Sequence, residues 1–106
     1  MSVPVNPQER IPIPMEVIDA FCRKWGVREL ALFGSVLRED FSPQSDIDVL
    51  VAFAPGAQRS LFDLVEMRDE LSAIFGRKVD LVSKGGLRNP FRRQEILKTR
   101  QILYAA

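Results

Sequence analysis

LALFGSVLREDFSPQSDIDVLV, residues 30–51, holds two short apolar runs with a polar interior between them. Leu30–Phe33 and Ile47–Val51 are too short for helices and apolar throughout, the pattern of strands buried on both faces. Between the runs sits Gly34-Ser35, and the second run is entered through Asp46-Ile47-Asp48.

Side chains alternate along a strand, so Asp46 and Asp48 share one face and Ile47, Val49 and Val51 share the other; the two aspartate Cα atoms stand about 6.6 Å apart. Aspartate is among the poorest strand formers, and two on one side of an apolar strand oppose folding. Charges about 5 Å apart at an effective dielectric near 20 repel by about 3 kcal/mol, and a cation relieves this. Mg²⁺ is the natural one, because one or two carboxylates together with substrate phosphates bind it. A lone Asp-x-Asp is more often a solvated acid pair, and a lone Gly-Ser after a strand is more often a turn. Together they complement each other. Glycine lets backbone amides approach an anion, and the serine hydroxyl and neighbouring N–H groups can hold phosphate oxygens.

Gly34-Ser35, ten residues, then Asp46-Ile47-Asp48 resembles the GS-x10-DxD signature of the minimal nucleotidyltransferases, small members of the DNA polymerase β-like nucleotidyltransferase superfamily. The resemblance runs from about Trp25 to the C-terminus and takes in VDLV at 79–82. Relatives often read GSxARG, where this chain has Leu37 for the small residue and Glu39 for the glycine; both departures concern the packing of the turn rather than the ligands. The resemblance implies a polymerase β-like α/β fold, a small mixed sheet with helices packed against it. It further implies two Mg²⁺ ions bridged by Asp46 and Asp48, with Asp80 as third carboxylate, and ATP as donor with its β and γ phosphates on Gly34 and Ser35. Arg38 matches the arginine of the pattern and is open to two readings, a phosphate contact or a pair with Asp40. Members of this family are commonly encoded beside an HEPN ribonuclease toxin and silence it by moving AMP onto a tyrosine. A HEPN-type toxin is therefore the expected partner.

The flanking sequence frames this centre. Four of the seven prolines, Pro4, Pro7, Pro12 and Pro14, lie in residues 1–14, which reads as an extended arm with a frayed end ahead of a domain over 15–106. Met15 opens a helix whose face carries Val17, Ile18, Phe21, Cys22 and Trp25, closed by Gly26. Strands are expected at 28–33, 46–53 and 78–82, and a short helix at 35–39. Ser60 and Asp63 form a capping box for a helix to Phe75 with an apolar face of Leu61, Leu64, Val65, Leu71, Ile74 and Phe75, ended by Gly76. A helix between two strands favours a parallel right-handed crossover, which lays Asp80 beside the Asp46/Asp48 strand. Asn89-Pro90 starts a last helix running to about Tyr104, packed through Ile96, Leu97 and Leu103.

At 106 residues and 46% hydrophobic composition the chain suits one domain of modest core. No apolar stretch is long enough to span a bilayer, and one cysteine with no histidine excludes an internal disulfide and an ordinary zinc site. A reducing cytoplasm is the expected location. Residues 84–106 carry six Lys/Arg against one acid, +5, which leaves −4 for the rest of a +1 chain. Without interleaved aromatics that basic segment does not suggest nucleic-acid stacking and reads as a solvated helix face. Two other function classes compete with protein nucleotidylation. A binding-only antitoxin would not need clustered, mutually repelling acids. A small-molecule nucleotidyltransferase would need a homo-oligomer to complete its pocket at this length.

Overall fold

The computed structural model describes residues 10–38, 41–57 and 59–106. Helix α1 (Met15–Trp25) buries Ile18, Phe21, Cys22 and Trp25 and stops at Gly26, which takes the left-handed conformation at φ 68°. Strand β1 (Val27–Phe33) follows directly, runs into a 3₁₀ turn over Gly34–Leu37, and is paired antiparallel with β2 (Ile47–Phe53). Helix α2 (Leu61–Phe75) begins at a reciprocal capping box, in which Ser60 Oγ accepts from the Asp63 N–H and the Asp63 carboxylate accepts from the Ser60 N–H. It leads to β3 (Val79–Ser83), parallel to β2 as the crossover length requires.

The C-terminal segment corrects the sequence expectation. Helix α3 spans only Pro90–Thr99, capped by Asn89 Oδ1 accepting from the Phe91 and Arg92 N–H groups, and Gln101–Ala105 form a fourth strand, β4, antiparallel to β1. Leu103 therefore packs from a strand rather than from a helix. The open backbone edge of β1 offers this segment a hydrogen-bonding partner, a non-local gain that overrides its helical spacing. The sheet order is β3-β2-β1-β4.

One face of the sheet is closed by α1 and α2. Leu30, Leu32, Ile47, Val49 and Val51 meet Ile18, Phe21, Cys22, Met67, Leu71 and Phe75 there. On α2 the buried stripe is Met67, Leu71 and Phe75, with Leu64 and Ile74 packed against the core; Leu61 at 75% and Val65 at 40% exposure lie outside it, so the apolar face differs from the sequence expectation by the loss of Leu61 and Val65 and the gain of Met67. Val17 of α1 is likewise exposed. Among the described residues the other face is covered by α3 and the segment before it, through Ala31, Phe33, Leu50, Leu87 and Ile96. The arm read as frayed has an anchored end, because Ile11 is 4% exposed and packs in the larger core; residues 1–9 lie outside the described residues, as do Glu39 and Asp40. Among the described residues no helix is long and apolar enough to cross a membrane.

Candidate functional site

Strand alternation places Asp48 on the thinly covered face, beside Leu50 and opposite Phe33 of β1. In the parallel pairing its partner on β3 is Asp80. Gly34, at the end of β1, comes so close to Asp48 that a Cβ there would stand 2.2 Å from Asp48 Oδ2, and its φ of +73° is one that L side chains rarely adopt. Glycine is required on both counts. The next residue secures the same contact: the Ser35 backbone N–H donates to the Asp48 carboxylate, and Ser35 Oγ donates to the Asp46 carbonyl at 3.2 Å. The turn and the acidic strand are thus one unit.

Asp48 titrates above its ordinary 3.8. Burial is the main cause, with Asp80 and Asp46 adding negative charge nearby; the Ser35 N–H and the Arg38 guanidinium oppose the shift. Arg38 therefore acts electrostatically on Asp48, while Asp40, its partner in the other reading, lies outside the described residues. Asp46 stands just before β2, with its Oδ2 3.8 Å from Lys78 Nζ, an ion pair the sequence did not suggest.

Gly34, Arg38 and Asp48 line a cavity of about 560 Å³, within the usual size of small-molecule sites. Phe33, Leu37 and Ile96 give it apolar walls, and Arg92, Glu95, Thr99 and Gln101 supply polar groups from α3 and the start of β4. Ser35, Asp46 and Asp80 are not among its lining residues. The α3 wall was missed in the sequence. Its signal was there in the helical spacing of Arg92, Glu95 and Thr99 around Ile96, but their use depends on where α3 is docked. The half-buried Glu29–Arg100 pair, 2.7 Å, fixes the α3–β4 junction to β1.

Among the described residues no three acidic, cysteine or histidine side chains are gathered as a ready metal cage. The donor set nonetheless fits a hard divalent ion. Asp48 and Asp80 are adjacent carboxylates, Asp46 lies two residues before Asp48 on the same chain, and the negative charge that Asp80 and Asp46 place near Asp48 is of the kind a cation would relieve. Two carboxylates completed by substrate oxygens suffice for Mg²⁺.

Comparison with known proteins bears on this geometry. A protein from Methanocaldococcus jannaschii, which carries the name protein adenylyltransferase provisionally, is 38% identical over 73 residues, covering 69% of this chain and 72% of its own. The protein adenylyltransferase MntA of Thermococcus cleftensis is 39% identical over 66 residues, 62% of this chain and 65% of that one. A solved structure described provisionally as a minimal nucleotidyltransferase superposes with a TM-score of 0.67 at 34% identity, covering 82% and 86% of the two chains. The fold is shared as well with the complex of a tri-AMPylated Shewanella oneidensis HEPN toxin and MNT antitoxin, at TM-score 0.64 and 19% identity over 95% of this chain and 74% of that one. The nucleotidyltransferase domain model matches residues 14–103, from the residue before α1 into β4 and through both the Gly34 turn and the acidic strand. By that match the chain belongs to the nucleotidyltransferase domain family and is a nucleotidyltransferase.

Proposed function

We propose that this enzyme moves AMP from ATP onto a hydroxyl of a protein partner, a tyrosine of a HEPN-type toxin, and thereby acts as an antitoxin. The observation that carries the reading is the close packing of Gly34 on Asp48, beside Asp80 and on the wall of the 560 Å³ cavity. Names of the relatives support the protein acceptor.

In this mechanism the acceptor oxygen attacks the α-phosphorus in line, the bond to the bridging oxygen breaks, and pyrophosphate leaves. Two Mg²⁺ ions held by Asp46, Asp48 and Asp80 would supply Lewis-acid neutralisation of the attacking and leaving oxygens. Gly34 keeps the turn against Asp48 with no side chain in the way of phosphate. Ser35 hydrogen-bonds the acidic strand and presents its hydroxyl to the β and γ phosphates when nucleotide enters. Arg38 adds positive charge on the cavity side, and Asp80, exposed and beside Asp48, accepts the proton of the acceptor hydroxyl.

Calorimetry with Mg²⁺ and a non-hydrolysable ATP analogue tests the division of labour. Asp46→Asn and Asp48→Asn are expected to lose metal-dependent nucleotide binding. Asp80→Asn is expected to keep nucleotide better and to lose turnover, because it serves the acceptor side. Equal binding by all four proteins would remove the assignment.

A further inference from the structure

We infer that Arg10 is a positioning residue for nucleotide, acting from outside the cavity by fixing the turn that carries Arg38; this rests on the reading of the Gly34–Arg38 turn as the phosphate side of the site. Arg10 Nη1 donates to the carbonyl of Val36 at 3.2 Å and to the carbonyl of Arg38. These are carbonyls at the exit of the 3₁₀ turn, where backbone acceptors lack partners within the turn and a cation is favourable. The Arg38 carbonyl also accepts from the Phe41 N–H at 3.5 Å, while the Arg38 N–H donates to the Ser35 carbonyl at 2.9 Å. Arg38 is thus held on both sides of its Cα, once from the Ser35 end and once from the Arg10 end.

Arg10 is itself held. Its neighbour Ile11 is buried in the core, and its guanidinium lies 5.6 Å from the centre of the Phe41 ring. Arg77 lies over the same ring at 4.5 Å and donates to the Ser42 carbonyl at 3.0 Å, so Phe41 and Ser42 are braced by two arginines from distant parts of the chain. Without Arg10, the Val36 and Arg38 carbonyls lose their side-chain donor and the backbone of Arg38 gains freedom. The Arg38 guanidinium would then meet the phosphates in a wider set of positions, and binding would weaken while the acids at the reacting centre stay in place.

The test is a double-mutant cycle on nucleotide affinity, read by calorimetry with Mg²⁺ and a non-hydrolysable ATP analogue in the full chain. Arg10→Ala is expected to weaken binding about tenfold, Arg38→Ala by at least as much, and the double variant no more than Arg38→Ala alone, since Arg10 acts through Arg38. Arg10→Lys, which keeps a donor on a shorter reach, is expected to recover part of the loss. Far-ultraviolet and thermal melts accompany each variant. Unchanged affinity in Arg10→Ala with a lowered melting temperature, or losses that multiply in the double variant, would overturn the inference while Asp48→Asn still abolishes binding. If the parent protein, or Asp48→Asn as well as the parent, binds nucleotide without regard to Mg²⁺, the functional reading falls and the inference with it.

Discussion

Ile47, Val49 and Val51 of β2 face a layer filled by two helices, whereas Asp48 and Leu50, interleaved with them, face a side covered by one short helix that leaves a cavity. The same seven-residue strand serves both purposes because its side chains alternate. Its closed face supplies rigidity and its open face supplies room. A carboxylate that is unfavourable for folding is tolerated at Asp48 because the larger core on the reverse side does not depend on it.

If that division is right, stability and function should separate by face. Leu71→Ala, in the fully closed layer, is expected to cost about 3 kcal/mol by denaturant unfolding. Leu87→Ala, 8% exposed and in the smaller cluster, is expected to cost less, about 2 kcal/mol, because that side can relax into the cavity. Equal costs would break the comparison.

Gly34→Ala sharpens it at the point where the faces meet the turn. The left-handed backbone alone costs roughly 1 kcal/mol for alanine, and the added Cβ must displace the Asp48 carboxylate. A modest drop in melting temperature with complete loss of nucleotide binding is expected.

The smallest stability effect belongs to Asp48→Asn. With its folded pKa above 3.8, Asp48 binds its proton more tightly in the folded protein than in the unfolded chain. Stability from this group is therefore greatest at low pH, falls as pH rises from about 3.8 through the raised folded value, and is flat above it. Metal-free Asp48→Asn should melt no lower than the metal-free parent at neutral pH and should lose that segment of pH dependence. A marked drop would make the acid a structural element.

Much of this was legible from residues that act locally. Gly26 and Gly76 end their helices in left-handed caps, and Ser60 with Asp63 opens α2, all through contacts within a few positions. The Asp48–Asp80 juxtaposition followed from the crossover rule, which links local lengths to topology. What escaped was set by distant partners. QILYA after α3 carries no glycine or proline stop, and Ile96, Leu97 and Leu103 continue a helical spacing into it; only the free edge of β1 makes it a strand. The docking of α3, and with it the Arg92, Glu95 and Thr99 wall of the cavity, depends on that strand and so is not legible in the local sequence. The contacts of Arg10 with the Val36 and Arg38 carbonyls, and of Lys78 with Asp46, are likewise side-chain meetings that no spacing announces.

The central claim is that the open face transfers AMP to a protein hydroxyl. Intact mass spectrometry of a HEPN-type toxin supplied as the proposed partner, after incubation with the enzyme, ATP and Mg²⁺, tests it most directly. The account predicts a mass gain in whole AMP units on the toxin, localised to tyrosine, and none with Asp46→Asn or Asp48→Asn. Neutralisation of the toxin by tight complex formation, with no mass gain from either the parent or Asp46→Asn, would contradict it.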